Sequence, residues 1–268
     1  GEAKYDESEA EEMKIVRYRA NGKTEYGIQE GEVIQALVGS PFRGITKAGR
    51  SVKAADVRLL APCLPSKVLA IGASYRSHCL EMGQPILDEP MMFFKPSTSV
   101  VGPEDKLVRP VGVKRFDYEA EVGVVMKRRA FKVKKEKALD YVLGYTCVND
   151  VSVRDWQSVA ANWQWGRAKG SDTFCPIGPC IETEGNPYDM GVESRLNGER
   201  KQRSSTNDLI WDIPTMIEYL SSTMTLLPGD VIATGTPIGV SNMNPGDVIE
   251  IIVDGVRTLR SYVVCVRR

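Results

Sequence analysis

The chain has 268 residues, with 35 Lys and Arg balanced by 35 Asp and Glu and a single histidine. Neutrality excludes a nucleic-acid partner held by general electrostatics, and one histidine excludes multi-His metal sites of the HExxH kind. With 42 % hydrophobic and 26 % charged residues the composition is globular. No run approaches the roughly 18–20 apolar residues of a membrane span, and no apolar signal-peptide core is seen.

Residues 1–12, GEAKYDESEAEE, read as a flexible acidic leader ahead of Met13. From Lys14 the pattern turns to β. Ile15, Val16 and Tyr18 precede Asn21-Gly22, a type I′ hairpin signal, and a second turn at Glu30-Gly31 leads to Val33-Ile34. Residues 13–64 are expected to form a small β-rich domain. Lys67–Gly72 is a buried strand entering a main domain over 65–268. A short helix is predicted over Arg76–Met82, with others near 135–142, 151–160 and from Pro214 to Ser222, where proline suits a first helical turn. Asn197-Gly198 and Asp254-Gly255 mark hairpins. The fold class is α+β, β-dominated, with few helices. The basic run from Lys127 to Lys137 reads as a solvated, charged face. The six cysteines form no CxxC pair and read as reduced small hydrophobes, such as Cys265 in an apolar run. With no secretory signal, a cytoplasmic or organelle-matrix location is expected.

The chemistry concentrates in a few segments. Glu119 and Glu121 precede a Val-rich strand and, two residues apart, share one face, with Tyr118 and Ala120 opposite. Adjacent carboxylates repel, so they are either a solvated strand edge or ligands of a divalent cation. Oxygen-only ligands favour Mg²⁺, Mn²⁺ or Ca²⁺ over zinc. Asp150 closes an apolar stretch and is a third candidate ligand, or a helix N-cap. Arg154 and Gln157 fall on one helical face. His78 and Glu81 are i, i+3 neighbours on the first helix: a surface pair, or an imidazole oriented as a general base. Lys169 is an exposed lysine or an oxyanion stabiliser. The segment Thr234-Gly235-Thr236-Pro237 is a plain turn or a loop offering donors to a carboxylate.

Together these segments resemble the fumarylacetoacetate hydrolase family, in its smaller bacterial-type and organellar form, over about residues 65–260. The family order is kept: Gly72-x-x-Tyr75-x-x-His78, Phe94-Lys95-Pro96, Glu119-x-Glu121, Asp150-x-x-x-Arg154-Asp155-x-Gln157, Lys169-x-x-Asp172-x-Phe174, Pro228-Gly229-Asp230 and Thr234-Gly235-Thr236-Pro237. The resemblance implies β-roll and β-sandwich-like layers around a metal site, with Mg²⁺ or a similar ion on Glu119, Glu121 and Asp150. It implies a His78–Glu81 water-activating dyad, Lys169 at the substrate carbonyl, and Tyr75, Arg154, Gln157 and Thr236 lining a carboxylate pocket. It also implies a homodimer acting on small 2-oxo acids: C–C hydrolysis of a β-dicarbonyl 2-oxo acid, or decarboxylation or keto–enol isomerisation at the same site. A non-catalytic Ca²⁺-stabilised β module is the remote alternative. Ser74 and Ser171 depart from the family's usual residues close to the pocket, so substrate size does not carry over.

Overall fold

The computed structural model describes residues 12–81, 83 and 85–265. Of the acidic leader expected over residues 1–12, residues 1–11 lie outside the described residues. Strands β1 (Lys14–Ala20), β2 (Lys23–Glu30), β3 (Val33–Leu37), β4 (Lys47–Lys53) and β5 (Arg58–Leu60) come first. They are followed by β6 (Lys67–Gly72), α1 (Arg76–Glu81), β7 (Met91–Pro96), β8 (Val100–Val101), β9 (Lys106–Arg109), β10 (Phe116–Asp117) and β11 (Ala120–Met126). Next are β12 (Val142–Asn149), β13 (Ser152–Val153), α2 (Arg154–Gln157), α3 (Trp165–Gly170), β14 (Cys175–Glu182), β15 (Gly191–Leu196) and β16 (Glu199–Ser205). The chain ends with α4 (Ile213–Thr223), β17 (Val231–Ala233), β18 (Val248–Val253) and β19 (Leu259–Cys265). The fold is β-dominated, as the sequence implied.

The large sheet runs in the order β4-β3-β2-β1-β14-β12-β11-β17-β6-β7, and a second runs β16-β15-β18-β19-β9. The N-terminal hairpins join the large sheet through β1 and β14, where Lys14 pairs with Glu182 and Ile15 with Ile181. At the β1–β2 turn Asn21 and Gly22 both have positive φ (48° and 76°), the type I′ geometry that the right-handed strand twist favours. Strand β11 is buried along its whole length because both faces are covered. Its even-numbered residues Val122, Val124 and Met126 pack in one core with Val192, Ile251 and Val253 of the second sheet and with Met216 and Ile217 of α4. Val125, of opposite parity, joins Val68, Val148, Ile177 and Ala233 in a second core on the other face. Each fully buried Val or Ile contributes about 1.5–3 kcal/mol, so a one-residue register slip would be costly.

Two local expectations are corrected, and one helix had not been expected. The helix over 151–160 begins later: Ser152 and Val153 pair with Asp117 and Phe116 as strands, and only Arg154–Gln157 is α-helical, with a 3₁₀ turn at Val159–Ala161. Pairing with β10 outweighs helix propensity at the β-branched Val153. The helix near 135–142 is 3₁₀, over Lys135–Tyr141. Helix α3 falls in a segment with glycines at 166 and 170 and no apolar period, so it left no sequence signal. The cysteines are free and buried except Cys265, which is exposed at the chain's end. No helix among the described residues is long and apolar enough to cross a membrane.

Candidate metal centre

The register of β11 and β12 gathers the acids. Ala120 pairs with Asn149 and Glu121 with Val148, which sets Glu119 beside Asp150. The Asp150 N–H donates to the Glu119 carbonyl (3.0 Å), and the Glu119 N–H donates to Asn149 Oδ1 (3.0 Å). Glu119, Glu121 and Asp150 are 7 %, 1 % and 0 % exposed, which removes the solvated-edge alternative. Each offers a carboxylate oxygen, and these oxygens lie within 4.8 Å of one another. Asp150 is not a helix cap; Val153 holds that position.

Cations surround two of the three acids. Lys169 is buried, against the exposed alternative, and its Nζ donates to Glu119 Oε2 (2.8 Å), Asp150 Oδ2 (2.7 Å) and Ser152 Oγ (2.7 Å). The Phe93 ring covers the ammonium 4.9 Å from its centroid. Lys95, on β7 and fully buried, donates to Asp150 Oδ1 and to the Lys169 carbonyl. Arg154, at the start of α2, donates through Nη2 to Glu119 Oε1, through Nε to buried Asp117 (2.9 Å) and through Nη1 to Gln157 Oε1 (2.9 Å). Glu121 has no ion pair among the described residues; its Oε2 accepts only the Gly235 N–H (2.8 Å).

The electrostatics follow this division. Burial disfavours the charge on Glu119, but Lys169 and Arg154 outweigh it and hold the carboxyl down to about 2. Burial, then the charges of Asp150 and Glu119, pushes Glu121 well above the ordinary carboxylate range. Burial opposes the charge of Lys169, yet Asp150 and Glu119 prevail and raise it, so its ammonium persists across neutral pH. Burial, with Glu121 and Asp208 nearby, also raises the phenol of Tyr75, whose hydroxyl has no hydrogen-bond partner among the described residues. Three buried oxygen donors, one without a cation, beside an orphaned phenol fit a hard divalent ion.

The loop after β17 closes this cradle. Gly235 has φ 93°, and a Cβ there would lie 1.9 Å from Ser74 Oγ, so glycine is required. Ser74 Oγ donates to the Thr234 carbonyl (2.6 Å), which fixes the loop. Thr236 Oγ1 donates to the Ala120 carbonyl (3.0 Å) and accepts from Gln202 Nε2 (2.8 Å). Its hydroxyl proton therefore anchors β11. His78 is half-buried on α1, three residues after Tyr75. Glu81 is the last residue of that helix, and its side chain lies outside the description.

The residues brought together are thus Glu119, Glu121, Asp150, Lys169, Arg154 and Gln157, with Tyr75 and Thr236 on the flanks. Sequence reasoning assigned no role to Lys95, Asp117, Ser152 or Gln202. Lys95 carried a signal: a lone charge in the apolar run Met91-Met92-Phe93-Phe94-Lys95.

Comparison with known proteins yields a consistent set. The sequence profile described as fumarylacetoacetate (FAA) hydrolase C-terminal matches residues 67–264, and one described as Rv2993c-like, N-terminal, matches residues 13–62. The mitochondrial oxaloacetate tautomerase of Xenopus laevis is 38 % identical, over 78 % of this chain and 69 % of that protein. A solved 2-hydroxyhepta-2,4-diene-1,7-dioate isomerase from Mycobacterium marinum superposes with TM-score 0.88 at 38 % identity, covering 96 % of this chain and all of that one. The maleylpyruvate hydrolase of Sphingobium sp. SYK-6, solved with manganese(II) and pyruvate, superposes with TM-score 0.79 at 28 % identity, covering 95 % and 100 %.

Proposed function

The chain belongs to the fumarylacetoacetate hydrolase family, and from that premise we propose that it is a divalent-metal-dependent hydrolase of β-dicarbonyl 2-oxo acids, releasing a pyruvate-type product and a carboxylic acid. The observation that carries this reading is the buried carboxylate triad, two of its members paired with lysine or arginine and Glu121 left without a cation. Mg²⁺ or Mn²⁺ on Glu119, Glu121 and Asp150 would stabilise negative charge developing on the oxygens of the 2-oxo acid.

The chain's own residues supply the rest. Lys169 stays protonated, and with its three N–H donors held by Glu119, Asp150 and Ser152 it sets a fixed positive charge beside an enolate oxygen, in a site from which water is largely excluded. Arg154, oriented by Asp117 and Gln157, has N–H groups left for a substrate carboxylate. His78, on α1 with Glu81 at i+3, takes a proton from water. The water oxygen bonds to the distal carbonyl carbon, the bond from that carbon to the methylene breaks, and its electron pair passes into the enolate. A proton returned to the methylene completes the pyruvate-type product.

A second reading is keto–enol isomerisation or decarboxylation of oxaloacetate on the same residues, favoured by the names of the tautomerase and isomerase relatives. These need the cradle and Lys169 but no attacking water. Pyruvate release from a panel of acylpyruvates, beside oxaloacetate enol–keto exchange and CO₂ release, separates them. Hydrolysis lost in His78→Ala supports the first reading. No acylpyruvate cleavage with intact exchange moves the assignment to the second. We also propose a homodimer, which light scattering on the purified chain checks.

A further inference from the structure

The helix that carries His78 is a weak element by itself. Six residues are too few for stability in water, Cys79 is its one buried side chain among those described, and Leu80 is 69 % exposed. A stretch of chain after β16 attaches it. Ser77, the second residue of α1, donates both its N–H (3.2 Å) and its Oγ–H to one oxygen of Asp208. Leu209 bridges to Tyr75, and the Ile210 N–H donates to the Ser74 carbonyl (2.8 Å). A carboxylate at a helix N-terminus satisfies an otherwise orphaned N–H and is favoured by the helix dipole.

That stretch is itself anchored. The Thr206 N–H donates to the Met190 carbonyl (3.0 Å), and Thr206 Oγ1 accepts the Met190 N–H (2.8 Å). Four residues earlier, Gln202 of β16 accepts the Ala120 N–H (3.1 Å) and donates to Thr236 Oγ1 (2.8 Å). One strand-and-turn unit therefore grips the carboxylate cradle through Gln202 and α1 through Asp208.

We propose that Asp208 is a positioning residue, latching α1 through Ser77 so that His78 is held in register with the carboxylate cradle. The proposal rests on the reading of His78 as the water-activating base, and its test separates the two. Asp208→Ala, Asp208→Asn and Ser77→Ala are compared with the unaltered 268-residue chain by hydrogen exchange of the α1 amides, Mn²⁺ affinity and acylpyruvate kinetics. Because the chain has one histidine, its imidazole NMR signal reports His78 alone.

Loss of two hydrogen bonds to a charged acceptor should speed α1 amide exchange about tenfold or more. In Asp208→Ala the imidazole signal should move, kcat should fall ~10-fold or more, and KM and Mn²⁺ affinity should stay within about twofold, since the variant leaves the cradle intact. Ser77→Ala, which removes one of the two bonds, should show the same pattern at smaller amplitude, and Asp208→Asn, which keeps an acceptor, should recover part of the loss. Unchanged α1 exchange and an unmoved imidazole signal would overturn the latch. So would Mn²⁺ affinity falling in step with kcat, which would make Asp208 part of the cradle's support. If the unaltered chain cleaves no acylpyruvate, the exchange and imidazole results still decide the latch, while the hydrolase reading fails by itself.

Discussion

The carboxylate cradle and helix α1 are built in opposite ways. In the cradle, backbone pairing fixes Glu119 beside Asp150, and two lysines and an arginine hold their side chains. Helix α1 has six residues, little buried surface and a carboxylate latch at its start. The carboxylate half of the site is thus over-determined by the sheet, while the half proposed to move protons is held to it by a few polar contacts. A site that must grip a cation yet admit and release a substrate gains from that division.

The sharpest way to break the cradle is Lys95→Met. It leaves Asp150 Oδ1 and the Lys169 carbonyl without their buried donor, and loss of one partner of a buried pair typically costs about 3–5 kcal/mol. Thermal unfolding should show a Tm fall on the order of 10 °C, at about 2–4 °C per kcal/mol for a chain this size. A fall under a few degrees would mean the cradle is less tightly specified than its contacts indicate. On the other side, His78→Ala should cost acylpyruvate hydrolysis ~10²–10⁴-fold with Mn²⁺ affinity unchanged. Full hydrolytic rate in this variant would remove α1 from the chemistry.

Lys169→Met joins the halves, because the lysine balances the acids and, in the proposed reaction, supplies the positive charge that stabilises the enolate. Steady-state kinetics should show kcat down ~10²–10³-fold, and metal affinity should fall in the same variant, whereas in His78→Ala it should not. The smallest effect concerns Glu121. In the metal-free chain its raised carboxyl keeps a proton that the unfolded chain has released. This group's contribution to stability therefore rises as pH falls through the folded value towards the ordinary carboxylate range. Glu119 acts oppositely: depressed to about 2 from an ordinary 4.5, its stabilisation is complete above the ordinary value and lost as pH falls towards 2. Glu121→Gln should remove the first contribution, raise the metal-free Tm at pH 7 by a few degrees, ~1 kcal/mol, and abolish the Tm rise on adding Mn²⁺. That rise corresponds to about 2.7 kcal/mol at a hundredfold excess over Kd.

The same contrast governs what could be read in the sequence. Periodicity of two placed Glu119 and Glu121 on one face, and Asn21-Gly22 announced its hairpin, because both are local consequences of backbone geometry. Asp150 was a candidate ligand, but its strand neighbours looked helical until β10 supplied a pairing partner. Lys169 looked exposed because α3 is bracketed by glycine and its burial comes from β7, more than seventy residues away in sequence. Asp208 lies 131 residues from Ser77, and no spacing rule connects them. The resemblance to a family supplied roles for the cradle residues; it assigned none to the contacts that hold α1.

The measurement that bears most directly on metal-dependent hydrolysis is pyruvate release from an acylpyruvate by the 268-residue chain with Mn²⁺, after excess EDTA, and after Mn²⁺ is restored. Activity should fall to background with chelator, return with the ion, and be absent throughout in Glu121→Gln. A rate indifferent to EDTA, or undiminished in Glu121→Gln, would contradict metal-dependent hydrolysis.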